Sequence, residues 1–502
     1  MKIAPLSRVK RKPAVLVLPS YRRLTVLDAS GQRDATGTRG VENLLRSVAS
    51  STCYVPAALT SLRLVSSATS WTCHTWRGRG TRMVHEPSGA TFTSLRGALE
   101  GSGGAPADQW AALDEVLSWV GAYGVPPGSI SGMAMGLFRA SLSAPVTIGF
   151  DPVVARRAFF GGRQEATLRT DSKGRPKVYT HMAALDIKSA YANAMARVPY
   201  ALSLRPVDPS TTLDPTVAGL AEASVDVPHG YPFGPLPRRL ATDRIQFPTG
   251  GPVDGVWPWV ELAAARELGC VVRVRSAWAP RATLDLFGPW YRLVASADRL
   301  GPGAQTLAKA IRNSLWGQFA MNGEENGITR WADDQGRIEI TVDKEPRRMP
   351  HAWTTHIAAE TAGRVRAQLL TEGLYGGGPG HPVHVDTDGI VVRQSHALSR
   401  PTGDGPGEWR LKATMKKVDL RGPQLYRWQC GDCAPSASMI GASRGKMHEP
   451  WHYLAAGVPR GRESEYFDRD TLVPVSHGSM FDVCIPGTHS LEHDLVKELM
   501  RV

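Results

Sequence analysis

No uninterrupted run of 18 or more apolar residues occurs in this chain, so no segment reads as a membrane-spanning helix. Cysteine is scarce, six in 502 residues and not densely spaced, which argues against a disulfide scaffold and for a reducing compartment. The stretch Met1 to Lys12 is basic but lacks the apolar core and cleavage site of a signal peptide, so the expected location is the cytoplasm. Internal repeats and long low-complexity tracts are also missing. What is abundant is positive charge, 59 Lys+Arg against 46 Asp+Glu, for a net +13. Such a balance suits a polyanionic partner, because each neutralised phosphate releases counterions. An arginine-rich genome is the competing explanation. With 42% apolar residues the chain can build a sizeable core spread over roughly three domains.

Asp386-Thr387-Asp388 lies between the apolar runs His381–Val385 and Ile390–Val392. In an extended chain the two carboxylates point to one side. The Asp388-Gly389 pair predicts a tight hairpin turn. Hard oxygen ligands at such a tip can hold a divalent ion, although an ordinary polar turn has the same composition.

Two further segments bear on that choice. Ala183–Met195 reads as a buried strand ending at Asp186, followed by a loop and a helix start. Leu307–Phe319 reads as a helix. With 3.6 residues per turn, Lys309, Asn313 and Trp316 share one face, while Leu307, Ile311 and Leu315 lie opposite. One face can pack while the other offers an ammonium, an amide and a ring to a ligand. A strand end and an amphipathic core helix are the plainer readings of each piece alone.

In this order the segments resemble the motifs of family B DNA polymerases. Asp186-Ile-Lys-Ser-Ala-Tyr191 is similar to motif A, Lys309-Ala-Ile-Arg-Asn313-Ser-Leu-Trp316-Gly317 to motif B, and Asp386-Thr-Asp388-Gly389 to motif C. Phe159-Phe-Gly161-Gly162-Arg163 resembles the linker between exonuclease and polymerase regions in the protein-primed branch. Ala192, Trp316 and Gly389 depart from the family's proline, tyrosine and serine.

The resemblance implies an α+β polymerase right hand: a palm with an antiparallel sheet, short helical fingers and a small thumb. It would be preceded by a shortened exonuclease-like α/β domain. The expected boundaries are 1–150 for that domain, 151–285 and 323–425 for the palm, 286–322 for the fingers and 426–502 for the thumb. The implied reaction is template-directed addition of deoxynucleotides to a 3′-hydroxyl. Two Mg²⁺ ions, about 3.5–4 Å apart, would stabilise the attacking and leaving oxygens, and Mn²⁺ can substitute. Asp186 and Asp388 would bridge both ions, with Asp386 in support. Lys309 would neutralise the triphosphate, Asn313 would sit near the incoming nucleotide, and Tyr191 would exclude a 2′-hydroxyl. Arg299 is a further phosphate candidate whose alternative is a solvated surface arginine. Gly161, Gly162, Gly317 and Tyr426 would contact DNA. Tyr426 keeps the tyrosine of the family's K-x-Y motif, but Gln424 replaces its lysine, leaving Arg427 or Lys417 to compensate. The expected partners are template-primer DNA, deoxynucleoside triphosphates and a terminal protein primer, with the chain a monomer in the cytoplasm of a bacterial host, copying a phage or mobile element. An inert DNA-binding descendant and primer-independent initiation are the competing readings.

The N-terminal region departs most from the family. Leu24–Asp28 is expected to be the first strand of the exonuclease-like domain, yet Ser30 stands where a second acid belongs. Trp110-Ala-Ala-Leu-Asp114 occupies the place of a Y-x-x-x-D motif. Missing ligands imply a domain without 3′–5′ proofreading. Gly255–Gly269 is expected to be a helix with a glycine stop, followed by the strand Cys270–Arg275. Thr354–Leu370 reads as a helix, and Gly407–Lys412 and Met415–Leu420 as paired strands. Finally, Cys430-Gly-Asp-Cys433 with His448 and His452 has the spacing of a structural Zn²⁺ site, although Pro450 interrupts the helix a zinc finger needs. A pair of thiols without metal is the alternative.

Overall fold

The computed structural model describes residues 2–3, 13–20, 23–55, 71–76, 79–85, 90–95, 99, 105–166, 178–240, 245–320, 327–331, 338–342, 354–376, 382–397, 402–422, 425–430 and 451–455. They fall into two compact units. One takes in the described residues of 1–148 and 286–353, the other those of 149–285 and 354–490.

The first unit is built on one sheet. Its strands run in the spatial order Ile338–Val342, Gly327–Trp331, Trp71–Trp76, Arg79–His85, Ala90–Ser94, Thr52–Val55, Ala14–Ser20, Arg23–Asp28 and Gly31–Thr36. Ala14–Ser20 pairs in parallel with Thr52–Val55, which pairs in parallel with Ala90–Ser94. Its other neighbour, Arg23–Asp28, is antiparallel. The strand Leu24–Asp28, expected to come first, is therefore second. The alternation Leu24, Val26 that marks it as a strand says nothing about its place in a sheet. Val15, Val17, Leu24, Val26 and Phe92 pack with Val41 and Leu45 of the helix Gly37–Ser47 to form the core.

Three helices of this unit matter below. Pro106–Ala122 and Ile130–Ala140 both pack against Pro302–Gln318. The last begins with proline at its first turn, where the absent N–H costs nothing.

Among its described residues the second unit holds two main antiparallel sheets and the short pair Arg238–Arg239 with Ile245–Gln246. The larger runs Arg163–Ala166, His384–Thr387, Gly389–Arg393, Tyr179–Ile187, Trp409–Gly422, Leu425–Cys430, Trp451–Ala455. The smaller runs Tyr200–Val207, Val271–Leu284, Leu220–Val227, Gly251–Pro258. Trp409–Gly422 is one strand, not the two paired strands expected from sequence. Ala413-Thr414 is strand-compatible and supplies no turn, so the chain reverses only at Gly422. The helix predicted from Gly255 starts at Trp259, because Gly251–Pro258 pairs with Leu220–Val227; Gly269 (φ +90°) ends the turn as expected. Helix Thr355–Gln368 is buried on almost every face and continues as a π-helical segment, Leu369–Tyr375.

Candidate active site

Tyr179–Ile187 lies between the strands Gly389–Arg393 and Trp409–Gly422. This places Asp186 in register with Gly389 on one side and Arg410 on the other. The Ile187 N–H donates to the Asp388 carbonyl at 2.9 Å, tying the ends of the two carboxylate-bearing segments together. Burial pushes the Asp388 carboxyl up to about 6, helped by the charges of Asp186 and Asp386 and opposed by Lys412. Asp186 is answered by cations: Arg410 Nε lies 2.7 Å from Oδ1 and Nη2 3.2 Å from Oδ2, with Lys412 Nζ 3.8 Å from Oδ2.

The turn carrying Asp386 and Asp388 is a two-residue hairpin closed by the pair Asp386–Gly389. Thr387 has φ +63°, rare for a β-branched residue. Its hydroxyl donates to Asp386 Oδ1 at 2.9 Å, and the Asp388 N–H donates to the Asp386 carbonyl at 2.7 Å. The left-handed residue is thus Thr387, not Gly389. Gly389 answers a different demand: a Cβ there would lie 3.1 Å from the Leu185 carbonyl oxygen.

Tyr191 follows the left-handed Ser189 (φ +55°) in the first turn of helix Ala190–Ala196. Burial first, then the Asp388 charge, pushes its phenol up, so it stays a neutral hydroxyl. Gly162 marks where the two motifs meet, since a Cβ at this position would sit 2.5 Å from Thr387 Cγ2 and 2.9 Å from the Tyr191 hydroxyl. The preceding carbonyls are held from below. Arg366 Nη1 donates to Phe160 O and Gly161 O, both at 2.7 Å, while Nε and Nη2 grip Glu261 at 2.9 and 2.7 Å.

No protein-family model matches the chain. A DNA-directed DNA polymerase of Enterobacteria phage PRD1 is 25% identical over 194 residues, covering 35% of this chain and 34% of the relative. The chain therefore spans about a third of that relative's length. Phi29 DNA polymerase complexed with primer-template DNA superposes with a TM-score of 0.63 at 12% identity, over 91% of this chain and 94% of that one. Its ternary complex with primer-template DNA and incoming nucleotide gives 0.61 at 12% identity, over 94% and 98%. The fold is that of Phi29 DNA polymerase.

Within this polymerase fold, Lys309, Asn313, Gly317 and Arg299 belong to the first unit. Lys309 and Asn313 are exposed on the helix Pro302–Gln318, opposite the buried Leu307, Ile311 and Leu315. Trp316, expected on the ligand face, is only 6% exposed, so its ring packs inward. Arg299 is exposed in the turn before the helix. A Cβ at Gly317 would meet nothing within 4 Å. In the second unit, the Tyr426 ring packs on His384 (4.6 Å between centroids) and Trp428 (5.4 Å). Burial raises its phenol, with Asp386 adding to the effect. Arg427 is paired with Asp419 at 3.1 Å, while Lys417 is exposed; Gln424 lies outside the described residues. The zinc pattern falls there too: Cys433, His448 and the side chains of Cys430 and His452 lie outside the described residues, and no metal-binding cluster of His, Cys, Asp and Glu occurs among those described.

Sequence reasoning missed Arg410, Arg366 and Glu261. Glu261 carried a usable signal, since an acid in the apolar run Trp257–Ala265 must find a partner once buried.

Proposed function

We propose that this chain is a family B DNA polymerase of the protein-primed type, extending a 3′-hydroxyl with deoxynucleotides against a DNA template. The observation that carries this reading is the strand register that sets Asp186 opposite Gly389, beside the turn of Asp386 and Asp388, where burial and its neighbours' charges push the Asp388 carboxyl up. Like charges gathered at one buried position favour a bound proton or a bound cation. The donor set is all hard oxygen and suits Mg²⁺. Asp186 and Asp388 would hold the two ions and Asp386 would support the turn. When bound, the metals neutralise charge on the attacking and leaving oxygens.

The remaining roles belong to the chain's own groups. Tyr191, fixed between Gly162 and the Asp388 turn, presents a ring that excludes a 2′-hydroxyl. Lys309 supplies a point cation to the triphosphate and Asn313 contacts the nucleotide. Arg299 is a further cation for the nucleotide phosphates, while Gly161, Gly162, Gly317 and Tyr426 contribute DNA contacts. The partners are template-primer DNA and deoxynucleoside triphosphates, within the cytoplasm of an infected bacterium.

The N-terminal unit is proposed to lack 3′–5′ proofreading. Its strand Ala14–Ser20 carries no carboxylate, and Asp28 on the next strand is engaged by Ser30 and Arg33. Asp114 is exposed on a helix.

Primer extension with Mg²⁺ tests the reading, comparing native protein with Asp388→Ala. Extension by the native protein alone is expected; equal signals from both, or none from either, would sink it. Offering a terminal-protein hydroxyl, a DNA 3′ end and no primer in parallel identifies the initiating group. Degradation of a single-stranded 3′ end by the native protein would refute the missing proofreading.

A further inference from the structure

The helix carrying Lys309 and Asn313 begins poorly by its own means. Its N-cap is Gly301, which has no side chain to cap with, and Pro302 follows at the first turn. The missing acceptor comes from another helix. Glu115 Oε1 accepts the Gly301 N–H at 2.9 Å, and Oε2 lies 3.1 Å from where a Cβ at 301 would sit. A carboxylate there also faces the positive end of the helix dipole.

Glu115 does not act alone. Trp119, one turn further along Pro106–Ala122, donates from Nε1 to Ser296 Oγ at 2.9 Å, and the Tyr123 hydroxyl lies 3.1 Å from the same oxygen. The spacing of four residues puts all three on one stripe of that helix, against the segment that feeds the Lys309 helix. At the opposite end, Phe319 closes the helix and packs against Phe138 (5.6 Å between centroids) and Phe287 (5.5 Å). Phe138 also stacks on Phe287 at 5.2 Å. The segment from Phe287 to Phe319 is thus pinned at its entry, its cap and its exit by Pro106–Ala122 and Ile130–Ala140.

We propose that Glu115 is a positioning residue for the nucleotide-binding helix, and that the exonuclease-like part of this chain serves as the foundation on which Lys309 and Asn313 are presented. This rests on the reading of those two residues as nucleotide ligands. It gives a physical reason for a domain whose strand Ala14–Ser20 has no carboxylate: its helices carry the fingers. Asp114, the acid expected to matter here, points to solvent, and its neighbour Glu115 makes the contact.

The test uses the full chain with Glu115→Ala, and Glu115→Ala combined with Gly301→Ser, which returns a cap from within the helix. Two quantities are read: hydrogen exchange at the amides of residues 303–306 without ligands, and single-nucleotide incorporation. In Glu115→Ala, exchange is expected to quicken by about fivefold, the loss of one cap. The nucleotide KM should rise by a similar factor, with kcat and primer-template Kd unchanged. Gly301→Ser should restore both. Unchanged exchange, faster exchange with an unchanged KM, or a fall in kcat and thermal stability that Gly301→Ser leaves uncorrected would each overturn the proposal. Absence of any nucleotide addition by the native protein would instead overturn the polymerase reading, and the exchange comparison would still decide whether Glu115 caps the helix.

Discussion

Arg410 holds both carboxylate oxygens of Asp186 from the adjacent strand, in a two-pronged grip with Nε at 2.7 Å and Nη2 at 3.2 Å. The hydrogen bonds to Asp186 are also what raise the arginine's own pKa most. A guanidinium in that position competes with any ion Asp186 would bind. Arg410→Ala should therefore bind Mn²⁺ up to about fivefold more tightly, the range set by a partly exposed pair. Electron paramagnetic resonance titration of Mn²⁺ without DNA measures it directly. Unchanged or weaker binding would show that Arg410 does not compete for Asp186.

Gly162 and Gly317 should respond oppositely to alanine. At Gly162 the added carbon meets Thr387 and the Tyr191 hydroxyl at under 3 Å, so Gly162→Ala should cost about 1–3 kcal/mol and reduce primer extension. At Gly317 nothing lies within 4 Å and the backbone is helical, so Gly317→Ala should equal or exceed native stability by up to about 1 kcal/mol. Urea unfolding of the pair checks both. Similar losses from the two substitutions would show that crowding at Gly162 is not the cause.

Arg366 and Glu261 are both at most 3% exposed and joined at 2.7 Å. Arg366→Met leaves Glu261 buried and unpaired and releases the Phe160 and Gly161 carbonyls, so it should cost about 3–5 kcal/mol. Adding Glu261→Gln should recover part of the loss. A double variant no more stable than Arg366→Met would mean that the carbonyl contacts, rather than the ion pair, dominate.

Glu360 and His356 give the second unit opposed pH dependences. Burial raises the Glu360 carboxyl from 4.5 to about 7, against the lowering effect of Arg364, while Glu261 adds to the rise. Folded protein then holds a proton that unfolded chain has lost, so this contribution falls as pH rises from about 4.5 to 7. Burial lowers His356 from 6.5 to about 4, and its contribution rises across about 4 to 6.5. The two offset one another between about 4.5 and 6.5. Glu360→Gln should uncover the histidine slope, steepening stability by about one proton, ~1.4 kcal/mol per pH unit. Urea midpoints from pH 4.5 to 8 test this; parallel profiles for native and variant would exclude Glu360 as the source.

The elements that bear the proposed site residues were legible because their signals are local. Asp386 and Asp388 sit two apart beside β-rich runs, Asp186 ends an apolar strand, and Lys309 and Asn313 fall one helical turn apart opposite Leu307, Ile311 and Leu315. Local spacing misled where neighbours in space decide. The pattern Leu24–Asp28 reveals a strand but not that Ala14–Ser20 precedes it and pairs with it. The helical wheel puts Trp316 with Lys309, yet the surrounding packing turns its ring inward. The Asp388-Gly389 pair marks a turn, but the left-handed residue is Thr387, and Gly389 instead leaves room for the Leu185 carbonyl.

The sequence by itself determined the acids, the ammonium and the ring, along with the strands and helix that bear them, since period and residue type act over a few residues. Only the tertiary structure decided what each charge answers to. Arg410 lies 224 residues from Asp186, Arg366 lies 105 from Glu261, and Glu115 caps a helix 186 residues away. Such partners are chosen by strand register and helix packing, which bring distant backbone together and leave no period in the chain to read.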